Sequence, residues 1–194
     1  MLCCNDRKKL QEKLEDLYCN GCDMCMCQAA TTLCDCCVDP MQDLLTQLRT
    51  VLPATATIQL TLDTGATQSF LVSQIVSIDD SVISLNINGI NQFISICNIS
   101  RVRWTGAGTI ALINLLPPVC TCDECDCYER PLRERLNRLI GSNVQVQFEG
   151  QLDPNATQPI TIRKVGLGIV IGQNITDGLV DAFSVCKITK FIQG

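Results

Sequence analysis

The chain has 194 residues, of which 46% are hydrophobic, 18% charged and 4% aromatic, and its formal net charge at pH 7 is -5. Non-specific binding to nucleic acid depends on Lys and Arg neutralising phosphates, so this acidic composition argues against a nucleic-acid partner. No run of about 18 apolar residues occurs, and we therefore predict neither a transmembrane helix nor a membrane partner.

Cysteine is the most unusual part of the composition, with 15 residues in the chain. Such a density is typical of disulfide-bonded proteins of oxidising compartments. The N-terminal residues 1–17 are too charged for a signal peptide, so we expect a protein made in a cytosol. Either the cysteines hold metal there, or they are exposed to oxidation later. The candidate cross-linking residues are Cys3, Cys4, Cys19, Cys22, Cys25, Cys27, Cys34, Cys36, Cys37, Cys120, Cys122, Cys125 and Cys127.

Residues 1–37 form a cysteine-rich N-terminal arm. Three leucines at i, i+4 and i+7 predict an amphipathic helix over residues 5–18. The arm holds nine of the fifteen cysteines but too few apolar residues to build a core of its own. We therefore expect the arm to dock on a neighbouring subunit and to form intermolecular disulfides with the cluster at residues 120–127.

The first predicted module spans residues 38–116. Asp39 and Pro40 are typical of a helix start, so a helix is expected over residues 41–50. Residues 57–63 alternate apolar and polar side chains, which predicts a half-buried strand. Further strands are expected at 69–78, 81–87, 90–99 and 101–104, with a type I′ turn at Asn88-Gly89.

A cysteine-rich linker, residues 117–128, leads to the second predicted module, residues 129–194. Its helix is expected over residues 130–140, with Arg133, Arg135 and Arg138 facing outward. Gly141 follows the helix, where a C-terminal capping glycine belongs. The remaining predicted strands lie at 143–149, 160–164, 167–171 and 182–192.

The two modules end on related segments, Phe93-Ile-Ser-Ile-Cys-Asn-Ile and Phe183-Ser-Val-Cys-Lys-Ile. The shared pattern [Ile/Val]-Cys-x-Ile aligns Cys97 with Cys186 and predicts a duplicated module. The same duplication places Ile58 opposite Val144. Because Cys97 and Cys186 lie in apolar strand patterns, we expect both to be buried small hydrophobic residues.

One short helix followed by about five bent strands resembles an Sm-like or SH3-like small barrel. Tandem modules with these closing segments resemble structural proteins of the coat, exosporium and appendages of bacterial endospores, over residues 39–104 and 129–194. The resemblance implies a mainly β fold with two tandem small barrels, each with an N-terminal helix, beside the cysteine-rich helical arm. It also implies localisation at the spore surface, after synthesis in the mother-cell cytosol without a signal peptide. It implies no catalytic residues.

The absence of histidine limits the chemistry of the chain. Ser-His-Asp and Cys-His catalysis and the common zinc hydrolase sites all require that residue. The glycine-rich segment 166–172 has neither the spacing nor the context of a nucleotide-binding loop. We therefore predict a protein that is not an enzyme and needs no cofactor.

Two functions remain in competition. The favoured one is a self-assembling structural protein of the spore surface, whose partners are other copies of itself and other spore-surface proteins, joined by disulfides. The alternative is a cytosolic protein that binds zinc or copper through Cys120, Cys122, Cys125 and Cys127, since four thiolates can surround one metal ion. The adjacent pairs Cys3-Cys4 and Cys36-Cys37 favour disulfides, because neighbours bridge each other poorly. An RNA-binding Sm-like role is disfavoured by the acidic charge and by the scarcity of aromatic residues such as Trp104.

Overall fold

A computed structural model describes residues 35–117, 129–153 and 155–193, with side chains from residue 38 onward. The helix predicted at residues 5–18 and most of the linker 117–128 lie outside these ranges. Neither helix in the described part of the chain is long and apolar enough to cross a membrane.

Strands dominate both described modules, which confirms the mainly β class. The first module contains α1 (Asp35–Val51), β1 (Thr57–Leu62), β2 (Thr67–Leu71), β3 (Ile75–Asp79), β4 (Val82–Ile87), β5 (Ile90–Ser95) and β6 (Ile99–Trp104). The second contains α2 (Arg130–Asn137), β7 (Asn143–Phe148), β8 (Gln158–Gly166), β9 (Ile169–Asn174), β10 (Val180–Ser184) and β11 (Ile188–Gln193). Short 3-10 turns lie at Val72–Gln74, Ile96–Asn98, Ala107–Leu112 and Val185–Lys187.

Helix α1 begins earlier than the sequence pattern predicted. The expected start at Asp39-Pro40 is wrong, because the helix begins at Asp35 and continues through Pro40. A proline inside a helix removes one backbone hydrogen bond. The apolar side chains of Val38, Met41 and Leu44 are fully buried, and such tertiary packing outweighs a local break.

Three predicted strands are interrupted by 3-10 turns. The run 69–78 is broken at Val72–Gln74, the run 90–99 at Ile96–Asn98 and the run 182–192 at Val185–Lys187. Between β4 and β5, Asn88 and Gly89 have φ of 53° and 80°, which confirms the predicted type I′ turn.

All strand pairs are antiparallel and form two sheets. The larger sheet has eight strands in the order β11-β7-β8-β9-β10-β6-β1-β2, and the smaller one has the order β3-β4-β5. The described strands form no closed barrel, in contrast to the two closed barrels that the resemblance implied. The turn at Val72–Gln74 divides the first module between the two sheets, and β6 pairs with β10 of the other module instead of with β5.

The two modules nevertheless have the same pairing scheme. In the first module β6 pairs with β1 and β1 with β2, while β3 pairs with β4 and β4 with β5. The second module repeats this order as β11-β7-β8-β9-β10, with the single strand β8 in place of β2 and β3. The pairs Ile58↔Phe70 and Ile75↔Leu85 of the first module match Val144↔Ile160 and Ile162↔Gly172 of the second. The chain from Phe70 to Ile75 is three residues longer than the matching chain from Ile160 to Ile162. The turn Val72–Gln74 is therefore a three-residue insertion.

Irregularities in the pairing also recur at matching positions. The β1–β6 register shifts beside Leu62↔Ile99, and the β7–β11 register shifts beside Phe148↔Ile188. Because Leu60↔Val102 matches Val146↔Phe191 in this scheme, Cys97 is equivalent to Cys186 and Ile58 to Val144. The predicted equivalence of these residues is confirmed.

Buried side chains form two apolar clusters. The first contains the inner face of α1 and most of the first module, but it also includes Ile169, Ile171, Val180 and Ala182 of the second module. The second cluster is smaller and includes Phe148 and Phe183, whose rings lie 5.0 Å apart between centroids. The first core is therefore completed by residues of the other module.

Candidate functional site

The thirteen cysteines predicted to cross-link have no described side chains. The backbone of Cys36 and Cys37 lies in α1, and the other eleven residues lie outside the described ranges. Their role in disulfides between chains, or in the alternative metal site at Cys120 to Cys127, stays a prediction. In the ranges that the structure does describe, no three Cys, Asp or Glu side chains are grouped as metal ligands would be.

The two cysteines of the closing segments lie on 3-10 turns, not within strands. Cys97 is half-buried against the first apolar cluster, in partial agreement with its predicted burial. Cys186 is exposed and disulfide-bonded, and its partner cysteine is not among the described side chains. The prediction that Cys186 is a buried hydrophobic residue is therefore wrong, because the turn interrupts the alternation that places strand residues inside.

One side chain that was predicted to face solvent is buried instead. Arg133, predicted to face outward, is buried and forms an ion pair with the buried carboxylate of Glu129 one turn earlier in the chain. The same carboxylate accepts a hydrogen bond from Gly168 N at 2.9 Å, which ties α2 to the β8–β9 turn. Trp104 is also buried and donates to Thr109 Oγ1 at 2.8 Å, so its ring is not available for stacking on RNA bases.

Two shallow depressions lie on the described surface. One, of about 280 Å³, lies between Ile113 and Lys164, and another, of about 180 Å³, lies beside Arg103. The ammonium of Lys164 is engaged by the carbonyl of Ile113 at 2.6 Å, and the guanidinium of Arg103 by Asp181. The ion pairs of Arg101, Arg103 and Lys187 lie instead where the two modules meet.

The centre of this joint is the antiparallel pair β6–β10. Its register places Trp104 opposite Val180, Val102 opposite Ala182, and Arg103 opposite Asp181. Arg103 donates two hydrogen bonds to the Asp181 carboxylate, one from Nε at 2.6 Å and one from Nη2 at 2.8 Å. A two-point contact of this kind is stronger and more selective in geometry than a single ion pair.

Further residues surround the Asp181 carboxylate, whose side chain is completely buried. Asn174 donates to it at 3.4 Å, and the guanidinium of Arg101 lies 3.8 Å from it. The remaining nitrogen of the Arg103 guanidinium, Nη1, donates to the carboxylate of Asp177 at 3.0 Å. The hydrogen bonds that Arg103 donates to the Asp181 carboxylate raise the pKa of Arg103 above its ordinary value.

Arg101 contacts side chains of both modules. Its guanidinium lies 5.3 Å from the ring centroid of Phe148 and donates to Thr61 Oγ1 at 2.9 and 3.2 Å. A third hydrogen bond reaches Gln158 in the second module at 3.3 Å. Burial lowers the pKa of Arg101, with the nearby Asp181 charge acting in the opposite direction. Both arginines of β6 therefore bind side chains of the second module.

A second polar contact crosses the joint at the ends of β1 and β7. Lys187 lies 3.3 Å from Asp63 of the first module and 3.0 Å from Glu149. Burial by itself lowers the pKa of Lys187, but the hydrogen bonds and charges of Glu149 and Asp63 together outweigh it and raise the pKa.

Replacing Lys187 with Met is expected to cost less than about 1 kcal/mol of stability near neutral pH, because the ammonium is partly exposed to solvent. Since the folded-state pKa is raised, the contribution is complete below the unfolded-state value of about 10.4 and is lost as pH rises through the folded-state value. Urea unfolding of both proteins in reductant, from about pH 8 to above pH 10.4, measures this difference. The exposed Lys190 replaced by Met is the matched control, and an equal pH dependence in both variants would contradict the assignment.

The modules also approach each other closely at their backbones. Gly150, with φ of 84°, faces the end of β1 so tightly that an added Cβ would lie 1.9 Å from the Leu62 carbonyl oxygen. At the other side of the joint, Leu167 N donates to Leu116 O at 2.9 Å, and a Cβ on Gly166 would meet Leu115 at 2.4 Å. The segment after β6 therefore packs along β8 of the second module.

The sequence patterns did not reveal this joint. The alternation of residues 101–104 predicts Arg101 and Arg103 as members of a closing strand, and no sequence pattern assigns a role to Asp181. The Arg-x-Arg pattern in β6 and the acidic residue within the apolar sequence of β10 are both unusual, because charged residues are rarely buried without a partner. Comparisons with protein-family models, curated proteins and solved structures find no match to this chain.

Proposed function

We propose that this chain is a structural protein of the bacterial spore surface that assembles with copies of itself into a layer or fibre, without catalytic activity. The observation that carries the proposal is the β6–β10 joint, through which two modules associate edge to edge into one sheet. Addition of strands at a sheet edge is a mode of association that can be extended indefinitely.

We interpret each module as a small barrel of the Sm-like or SH3-like type. A helix precedes five strand positions in both modules, and the second position is long and bent. In the second module it is the nine-residue β8, with a register shift between Ile162 and Lys164. The matching shift in the first module lies between Ile75 and Ser77. Such irregularities bend a strand and allow one sheet to curve around a core.

The cysteines supply the covalent part of the assembly in this proposal. None of the nine cysteines of the arm or the four of the linker belongs to a strand in the described part of the chain. In this proposal they form the covalent bonds between chains. Synthesis in the mother-cell cytosol would keep the thiols reduced, and lysis of that cell would expose them to oxidation.

Deleting residues 1–27 is expected to abolish the disulfide-linked polymer, because it removes six of the cysteines of the arm. Non-reducing and reducing gels, together with electron microscopy of oxidised protein, measure the outcome. The matched control is the full-length chain with Ser at Cys3, Cys4, Cys19, Cys22, Cys25 and Cys27, which keeps the rest of the arm. An unchanged covalent polymer from the truncated chain would show that the arm is not the coupler.

The same preparations test the alternative function. Protein purified under reducing conditions is expected to contain no stoichiometric zinc or copper. Several equivalents of either metal per chain, lost when Cys120, Cys122, Cys125 and Cys127 are replaced with Ser, would favour the metal-binding role instead.

A further inference from the structure

We propose that copies of this chain join head to tail in the absence of disulfides, by pairing the open edge of β11 in one copy with the open edge of β5 in the next. The inference rests on the self-assembly proposed above and names the surface that carries it. The contact would repeat between chains the β6–β10 pairing that joins the two modules within a chain.

The internal repeat determines which edges remain open. In the pairing scheme shared by the modules, β6 is equivalent to β11 and β5 is equivalent to β10. Within the chain, β6 of the first module binds β10 of the second. Among the described strands, β11 pairs only with β7 and β5 pairs only with β4, so each module has one edge of the joint left over. The other open edges, on β2 and β3, match the interior strand β8 and have no counterpart in the joint.

The register of the internal joint predicts the register between copies. Phe93 is equivalent to Ala182, and Phe191 is equivalent to Val102. Because Ala182 pairs with Val102 at the internal joint, Phe93 of one copy should lie opposite Phe191 of the next. The pair Val180↔Trp104 becomes Asn91 opposite Gln193 by the same reasoning. Cross-strand aromatic pairs are among the more stabilising pairs in antiparallel sheets.

Exposure of apolar side chains on both edges supports the pairing. Phe93 is 71% exposed and Ile90 64% exposed on β5, while Ile192 on β11 is 42% exposed. At the internal joint Ala182, which is equivalent to Phe93, and its partner Val102 are completely buried. Apolar residues concentrated on two sheet edges indicate a surface that is covered in an assembly.

The β5 edge also lacks the features by which proteins block edge-to-edge contact. Its sequence, Ile90-Asn-Gln-Phe-Ile-Ser95, contains no proline and no charged residue. Lysines, prolines and inward-facing charges are the usual protection of an open strand. Residue Lys190 is the one charged residue of β11, and it occupies the position of Arg101 in the internal joint.

The contact between copies would lack the charged pair of the internal joint. Gln92 and Ile192 stand where Asp181 and Arg103 form their two-point ion pair. Asn91 likewise replaces the buried Val180. The contact between chains should therefore be weaker than the joint within a chain. Since it joins two different surfaces, it builds rings or open filaments instead of closed pairs.

The test uses the full-length chain in reductant, so that disulfides contribute nothing. Analytical ultracentrifugation of the wild type over a range of concentrations is expected to show a series of oligomers. Phe93→Lys is expected to raise the dissociation constant at least about tenfold, since it places a charge in the centre of the contact. The matched control is Leu112→Lys, because Leu112 is similarly exposed but lies on neither edge.

A mixing experiment tests the polarity of the contact. The variants Phe93→Lys and Ile192→Lys each retain one intact edge, so an equimolar mixture should form two-chain complexes that do not grow further. Circular dichroism and thermal melts like those of the wild type would show that both variants fold.

A wild type that stays monomeric in reductant would overturn this proposal, as would Phe93→Lys assembling as well as Leu112→Lys. Neither result would touch the proposed disulfide-linked function, which fails only if oxidised native protein forms no covalent polymer.

Discussion

Replacing Arg103 with Met is expected to lower the free energy of unfolding by about 3–5 kcal/mol, because it leaves the buried Asp181 carboxylate without its main partner. Asp181 has no exposed side-chain surface, and its two shortest contacts both come from Arg103. The remaining contacts, from Arg101 and Asn174, are longer. Equilibrium unfolding in denaturant, with reductant present, measures the loss.

The matched control is Arg163→Met, which removes an arginine of β8 that is exposed and bonded to Gln173. This variant should lose no more than about 0.5 kcal/mol, as surface substitutions usually do. Equal losses in the two variants would contradict the role assigned to Arg103.

The double variant Arg103→Met with Asp181→Leu separates the charge effect from packing. Removing both partners leaves no unpaired carboxylate, so this variant should be more stable than Arg103→Met alone. A double variant that loses the sum of the two single losses would show that the pair is not coupled.

Replacing Gly150 with Ala is expected to cost about 3 kcal/mol or more, because the new Cβ would collide with the backbone of the neighbouring module. The Leu62 carbonyl oxygen lies 1.9 Å from that Cβ position and the Leu62 carbonyl carbon 2.9 Å from it. Since both atoms belong to the backbone, the clash can be relieved only if the joint opens. Thermal and denaturant unfolding in reductant measure the loss.

Gly178→Ala is the control for the backbone conformation alone. Gly178 has φ of 72°, similar to the 84° of Gly150, but an added Cβ there has nothing within 4 Å. That variant should lose only the cost of a left-handed residue, about 1–2 kcal/mol. If the two variants lost the same amount, the close approach of the modules at Gly150 would be refuted.

Arg103→Met and Gly150→Ala both weaken the contact between the two modules. The first core already includes Ile169, Ile171, Val180 and Ala182 of the second module. We therefore expect the two modules to unfold together in one cooperative transition, and the variants to shift that transition as a whole.

The sequence determined the local elements well wherever a single short pattern decides the structure. Alternation at Ile58 and Leu60 placed β1, and positive backbone angles at Asn88 and Gly89 follow from the residue types that tolerate them. The repeated segment around Cys97 and Cys186 also identified equivalent positions, because duplicated modules retain the order in which their strands pair.

Local patterns failed where a neighbour distant in sequence decides the outcome. The start of α1 before Pro40 depends on packing against the sheet, and the burial of Arg133 depends on Glu129, which is itself fixed by the β8–β9 turn. The exposure of Cys186 depends on a turn that resembles a strand in sequence.

Only the tertiary structure decided how the modules join. Alternation tells which face of a strand is apolar, but it contains no information about which strand lies beside its edge. Arg103 and Asp181 are separated by 78 positions, and neither has a local partner that would indicate the other. Their pairing follows from the shape of two folded modules, because a buried charge is tolerated only where the complete fold brings its counter-charge to it.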